Sequence, residues 1–209
     1  MKPNTKIILH ELKHHAPFTI WATILATILV AVAFFLDQQQ TINLSESFFE
    51  ILHPAHILIS SFATAAIFYK HQKKIFNALI IGVLGAIIIG SLSDVIFPYL
   101  QALALNFHPH FHLPIIEAPI LIILVALIGS ALGIILIQTK LPHFLHVFIS
   151  VFASLFYLIA FSTTLNITYL AIAFIITFLA VIIPCCISDI IFPLLFLNKY
   201  KCKHCHEHK

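Results

Sequence analysis

Six stretches of this chain, near residues 17–36, 48–70, 75–100, 119–138, 143–162 and 169–197, are each apolar over the roughly 20 residues that a helix needs to cross the hydrocarbon core of a bilayer. Hydrocarbon offers no partner for backbone N–H and C=O groups, so such segments fold as helices that satisfy themselves. Composition leads the same way: with 61% hydrophobic and 9% charged residues over 209, and a mean hydropathy of +1.05, no water-soluble globule has interior enough to hide the apolar side chains. The expected fold is therefore an all-α polytopic membrane protein, a single transmembrane domain over residues 1–209. The opening MKPNTKIILHELKHH lacks the apolar run and small-residue cleavage site of a signal peptide and reads as a retained cytoplasmic segment.

Orientation follows from charge. All eleven basic residues are lysines: Lys2, Lys6 and Lys13 before the first stretch, Lys70, Lys73 and Lys74 between the second and third, Lys140 between the fourth and fifth, and Lys199, Lys201, Lys203 and Lys209 after the sixth. By the positive-inside rule these loops and both termini are cytoplasmic. The opposite loops carry Asp37, Glu46, Glu50 and Glu117 and no lysine.

The two halves repeat. Ala16-Pro17 precedes the first stretch as Ala118-Pro119 precedes the fourth; HPAHILISSFAT from His53 matches HFLHVFISVFAS from His143; SDVIFP from Ser93 matches SDIIFP from Ser188. Three coincidences in one order argue for internal duplication. Because each unit has three spans, the second lies upside down relative to the first, as in many secondary transporters. Repeat one covers 10–105, repeat two 112–197, and a tail covers 198–209, with helices three and six expected to break at their prolines. Counted from the loops, His53, His56 and Asp94 fall near the outer face and His143, His146 and Asp189 near the inner.

Histidines three apart share a helix face, and imidazole with carboxylate suits zinc, manganese, iron, cobalt or nickel. A proline at i+4 removes the amide that would bond carbonyl i, so Pro98 and Pro193 are expected to free the backbone oxygens of Asp94 and Asp189. An aspartate at the centre of a span costs roughly 2.5–3.5 kcal/mol on insertion scales, and an ionisable group there is read as functional by default. The expected metal residues are thus His53, His56 and Asp94 at one site and His143, His146 and Asp189 at the other. The hydroxyls Ser60, Thr64, Ser150 and Ser154 follow at four-residue spacing, as a path between sites or as helix-packing glue.

Further ligand types lie outside these motifs. The tail KYKCKHCHEHK holds Cys202, His204, Cys205, His206 and His208, a soft-metal set. Cys185 and Cys186, one turn before Asp189, are candidates for accessory thiolates or buried small hydrophobes. His108, His110 and His112 alternate in HPHFH and in extended form would point one way, towards the outer mouth. His10, Glu11 and His14 match H-E-x-x-H, in which two histidines hold zinc and the glutamate is general base. That motif makes a membrane zinc metalloprotease the alternative, against which stands its place outside the first full span. No P-loop pattern for ATP hydrolysis occurs.

On HPAH, HFLH, SDVIFP and SDIIFP the chain resembles, in broad type, the small multi-pass heavy-metal permeases of bacterial inner membranes. That resemblance implies efflux or uptake of a divalent metal. The expected function is accordingly a secondary transporter, not an enzyme: an exporter of a divalent transition metal, zinc first, exchanged for protons because metal needs the imidazole neutral. The expected partners are the lipid bilayer, metal ions and protons, with a homo-oligomer left open and no nucleic acid.

Overall fold

The computed structural model describes residues 5–162, 172, 175–177, 181, 184 and 191–196, with no side chain described for Lys140 or for most residues before Ile20. Its helices are α1 (Thr5–Leu36), α2 (Gln38–His71), α3 (Ile75–Ser91), α4 (Phe97–Ala104), α5 (Pro114–Glu117), α6 (Pro119–Leu136) and α7 (Lys140–Phe161), followed by a final turn at Phe192–Leu195. A π-helical turn, Leu92–Ile96, joins α3 to α4. Among the described residues four helices are long and apolar enough to cross a membrane: Gln38–His71, Ile75–Ala104, Pro119–Leu136 and Leu141–Phe161. The apolar part of α1, Ile20–Leu36, is shorter, and most of the expected sixth span, with Asp189, Cys185, Cys186 and the tail residues Cys202, His204, Cys205 and His206, lies outside the described residues.

Helix α2 is the hub, packing on α7, α6 and α3. Asp37 starts it: its side chain accepts from the Gln40 amide at 3.0 Å, satisfying one of the unpaired donors of the first turn. Across the same junction the Thr41 hydroxyl donates to the Ala33 carbonyl at 3.0 Å, fixing the turn out of α1. Lys70 and His71 fall in the last turn, where positive charge suits the carbonyl end of the helix.

Helix α1 presents Ala22, Ala26, Val30 and Phe34, a stripe at four-residue spacing, to the interior, and it packs on α7. Its other face exposes Trp21, Ile28, Phe35 and Leu36. Large apolar side chains turned outward on α1, α3 and α6 would be a liability in water and are the natural surface in a bilayer.

The contact between α6 and α2 depends on glycine. A Cβ on Gly129 would overlap the Leu58 carbonyl oxygen and the Ser61 hydroxyl, and one on Gly133 the Phe62 carbonyl oxygen. This small-xxx-small pair lets two backbones touch, where lipid supplies no hydrophobic drive for helices to associate.

Helix three was expected to break at Pro98. It continues instead as one helical rod from Ile75 to Ala104, the proline being absorbed by the π-turn just before it.

Candidate functional site

Asp94 lies on the π-turn, fully buried, and its two oxygens are divided between two kinds of donor. Oδ2 faces α2, with His53 Nδ1 at 2.9 Å and His56 Nδ1 at 2.6 Å. Oδ1 faces hydroxyls, with Ser150 of α7 at 2.7 Å and Ser93 at 2.9 Å. A carboxylate has about four lone-pair positions, so all are in use. An ionised carboxylate can only accept, which puts the proton of each ring on Nδ1 and makes each neutral Nε2 a lone pair pointing away from Asp94. His53 Nε2 is buried without a hydrogen-bond partner among the described residues.

The π-turn explains a further contact. Its closing bond runs from the Phe97 amide to the Leu92 carbonyl, one residue farther back than in an α-helix. The Ser93 carbonyl thereby loses its usual donor, and the next candidate, Pro98, has no N–H. Ser154 of α7 fills the gap, its hydroxyl 3.0 Å from Ser93 O and 2.7 Å from Ser150 O. The sequence motif suggested that proline would liberate the Asp94 oxygen; the carbonyl seen served from outside the helix is that of Ser93.

His146 and His143 do not form a separate cluster at the far face. The His146 ring stacks on His56 at 5.6 Å with 11° between planes, and His143 meets His146 edge-on at 5.0 Å. All four imidazoles are buried, as are Ser60, Thr64, Ser150 and Ser154. The result is one continuous polar string, His53, Asp94, His56, His146, His143, with Ser150 and Ser154 bracing it from α7. Depth counted from loop ends misplaced it because α2 begins at Gln38, not near residue 48. At ~1.5 Å per residue its 34 residues span about 51 Å, so His53 and His56 lie mid-helix rather than at an end.

The chain matches no family model, no curated protein and no solved structure. Among the described residues no group of three or more His, Cys, Asp or Glu side chains is arranged to hold a metal ion. Asp94 Oδ2 meets both imidazoles at Nδ1 and so orients the two rings.

The H-E-x-x-H residues sit on the helical backbone of α1, and the side chains of His10, Glu11 and His14 lie outside the described residues. The HPHFH loop is not an extended strand with its rings on one side. His108 has a positive φ of 46°, which takes it out of the extended pattern, and His112 lies inward against Phe49 and Phe161. His112 also meets Glu50 and Glu117, and the first of these was not legible in the sequence: nothing in the spacing ties residue 50 to residue 112.

Proposed function

We propose that this protein is a secondary transporter of the membrane in which it is embedded, moving a divalent transition metal, zinc first and manganese, iron or cobalt next, in exchange for protons. The observation that carries the reading is the sharing of one buried carboxylate oxygen by His53 Nδ1 and His56 Nδ1. Histidines that bind metal characteristically donate their other ring N–H to a carboxylate, which fixes the tautomer and raises the basicity of the free nitrogen. Here two neighbouring rings share one such orienting group, which leaves Nε2 of each ring turned away from the carboxylate. The Nε2 lone pairs take either metal or proton, and each arrival displaces the other.

The string continuing through His146 and His143 gives the cargo further nitrogens beyond His56, and the burial of every member suits a path closed to bulk water. Lysines confined to alternate loops support cytoplasmic termini, as in a bacterial inner membrane, and the metal-ligand types of the tail support export. The repeat of HPAH and SDVIFP as HFLH and SDIIFP supports two upside-down halves of three spans each.

The experiment is zinc flux into proteoliposomes loaded with a zinc-sensitive dye, with internal pH followed in parallel. Wild type should carry zinc and move protons the other way. His53→Ala and His56→Ala should abolish both fluxes while leaving the protein folded. Wild-type vesicles that carry no divalent metal would overturn the cargo, and zinc flux indifferent to the pH gradient would remove the exchange.

A further inference from the structure

The segment between α4 and α6 is tied to the rest of the bundle by a set of contacts that the site above does not use. His112 is partly buried, its Nε2 2.7 Å from Glu50 Oε1 of α2 and its Nδ1 2.8 Å from Glu117 Oε2 of α5. Its backbone amide donates to the Tyr157 hydroxyl of α7 at 3.2 Å, and the amide of His110 donates to the Phe161 carbonyl at 2.8 Å. The His112 ring stacks on Phe161 at 4.6 Å and meets Phe49 edge-on at 5.7 Å.

Phe49 is the link to the interior. It is fully buried, it lies edge-on to Tyr157 and Phe161, and its ring stacks on His53 at 5.5 Å. The Phe49 ring thus covers one face of the His53 ring. The α2 backbone is weakened at the same level, because Pro54 has no amide for the Glu50 carbonyl.

We propose that residues 106–117 form a strap, latched by the His112 ring between Glu50 and Glu117, that holds Phe49 closed over His53. The latch has a chemical condition. An imidazole carries N–H on both nitrogens only as the cation. Each of its nitrogens here lies within 3 Å of a carboxylate oxygen, and on the Glu50 side the contact lies off the N–H axis, so it is attractive only when the ring is charged. Loss of one proton sets a lone pair against a carboxylate and turns one attraction into repulsion. The groups facing His112 are Glu50 from α2, Glu117 from α5 and the Tyr157 hydroxyl from α7; His53 lies behind Phe49. Both charged neighbours are acidic, so the strap is held at low pH and loosens as pH rises. The latch depends on the contacts around His112 alone and is measured without cargo, so it and the transport reading stand or fall separately.

The test is hydrogen–deuterium exchange of the full-length protein in lipid nanodiscs, followed at the His110 and His112 amides. The range from about pH 5.5 to about pH 8.5 brackets imidazole titration, and rates are corrected for the chemical pH dependence of exchange. Wild type should lose protection of these amides as pH rises, by about three- to ten-fold, the range that two half-exposed ion pairs supply. His112→Gln and Glu50→Gln should show the unlatched rate already at the acidic end. Wild-type protection that does not change across the range overturns the latch, and this holds even where a variant fails to fold. For the plug, Phe49→Ala at one fixed pH should raise carbethoxylation of His53 by diethylpyrocarbonate; equal labelling in wild type and variant overturns it.

Discussion

Ser154→Ala should destabilise the protein by an amount that depends on whether residue 98 is proline. In the wild type the Ser93 carbonyl has lost its α-helical donor, because the Phe97 amide bonds Leu92, and it gains none from Pro98. The Ser154 hydroxyl at 3.0 Å meets it, its one proton shared with Ser150 O at 2.7 Å, in a site with Ser93 1% and Ser154 0% exposed. Stranding a buried carbonyl costs about 1–3 kcal/mol. The second contact of that hydroxyl, to Ser150 O, adds little to the loss, since that carbonyl lies inside α7 and has a backbone donor. About 1.5 kcal/mol is therefore expected for Ser154→Ala alone. Pro98→Ala restores an amide five residues after Ser93, in register with the π-turn, and in that background the same substitution should cost at most about 0.5 kcal/mol. The coupling of about 1 kcal/mol is measured as a double-mutant cycle, from equilibrium unfolding of the four proteins in mixed micelles followed by circular dichroism. Additivity within about 0.3 kcal/mol would refute the reasoning, because the hydroxyl would then be doing something other than replacing a lost backbone donor.

Two other substitutions follow from the same contacts. Asp94→Ala strands the two ring N–H groups, while Ser93 can turn to the Gly90 carbonyl at 3.1 Å, so a loss of about 3–5 kcal/mol is expected. Asp94→Asn keeps an oxygen for the rings and turns an amide towards the serine oxygens, so it should lose only about 1–2 kcal/mol of charge assistance; equal melting temperatures for the two variants would contradict the assigned acceptor role. Gly129→Ala forces α6 away from the Leu58 carbonyl and should cost about 1–3 kcal/mol, measured by thermal unfolding in detergent, with an unchanged melting temperature showing that the helices do not touch there.

The helical, membrane-embedded character was legible because the length of an apolar run is a one-dimensional property. The meeting of His53, His56 and Asp94 was legible as a group: a three-residue spacing puts two rings on one face, and an acid in an apolar span needs partners. The order of atoms within the group was not. Spacing cannot say whether a carboxylate stands beside an imidazole or behind it, and here both rings turn Nδ1 to it. Nor could spacing show that the second histidine pair stacks on the first, because that depends on where α2 begins, and the polar run from Gln38 to Ser47 disguises a helix start as a loop. The consequence of Pro98 was half legible. The amide missing at Pro98 was certain from the sequence, but that a π-turn also takes the α-helical donor from the Ser93 carbonyl was not. The place of His112 was hidden because its partners Glu50, Phe49 and Phe161 are distant in sequence.

The central claim is that Asp94 holds His53 and His56 by Nδ1 so that Nε2 of each ring is left for a cation. Nitrogen NMR of histidine-labelled protein in lipid, recorded before and after zinc is added, measures this at the atoms concerned. Without zinc, both rings should be protonated at Nδ1 and bare at Nε2, and zinc should shift the Nε2 resonances while the Nδ1–H signals persist. Rings protonated at Nε2, or Nε2 resonances that zinc leaves where they were, would contradict it.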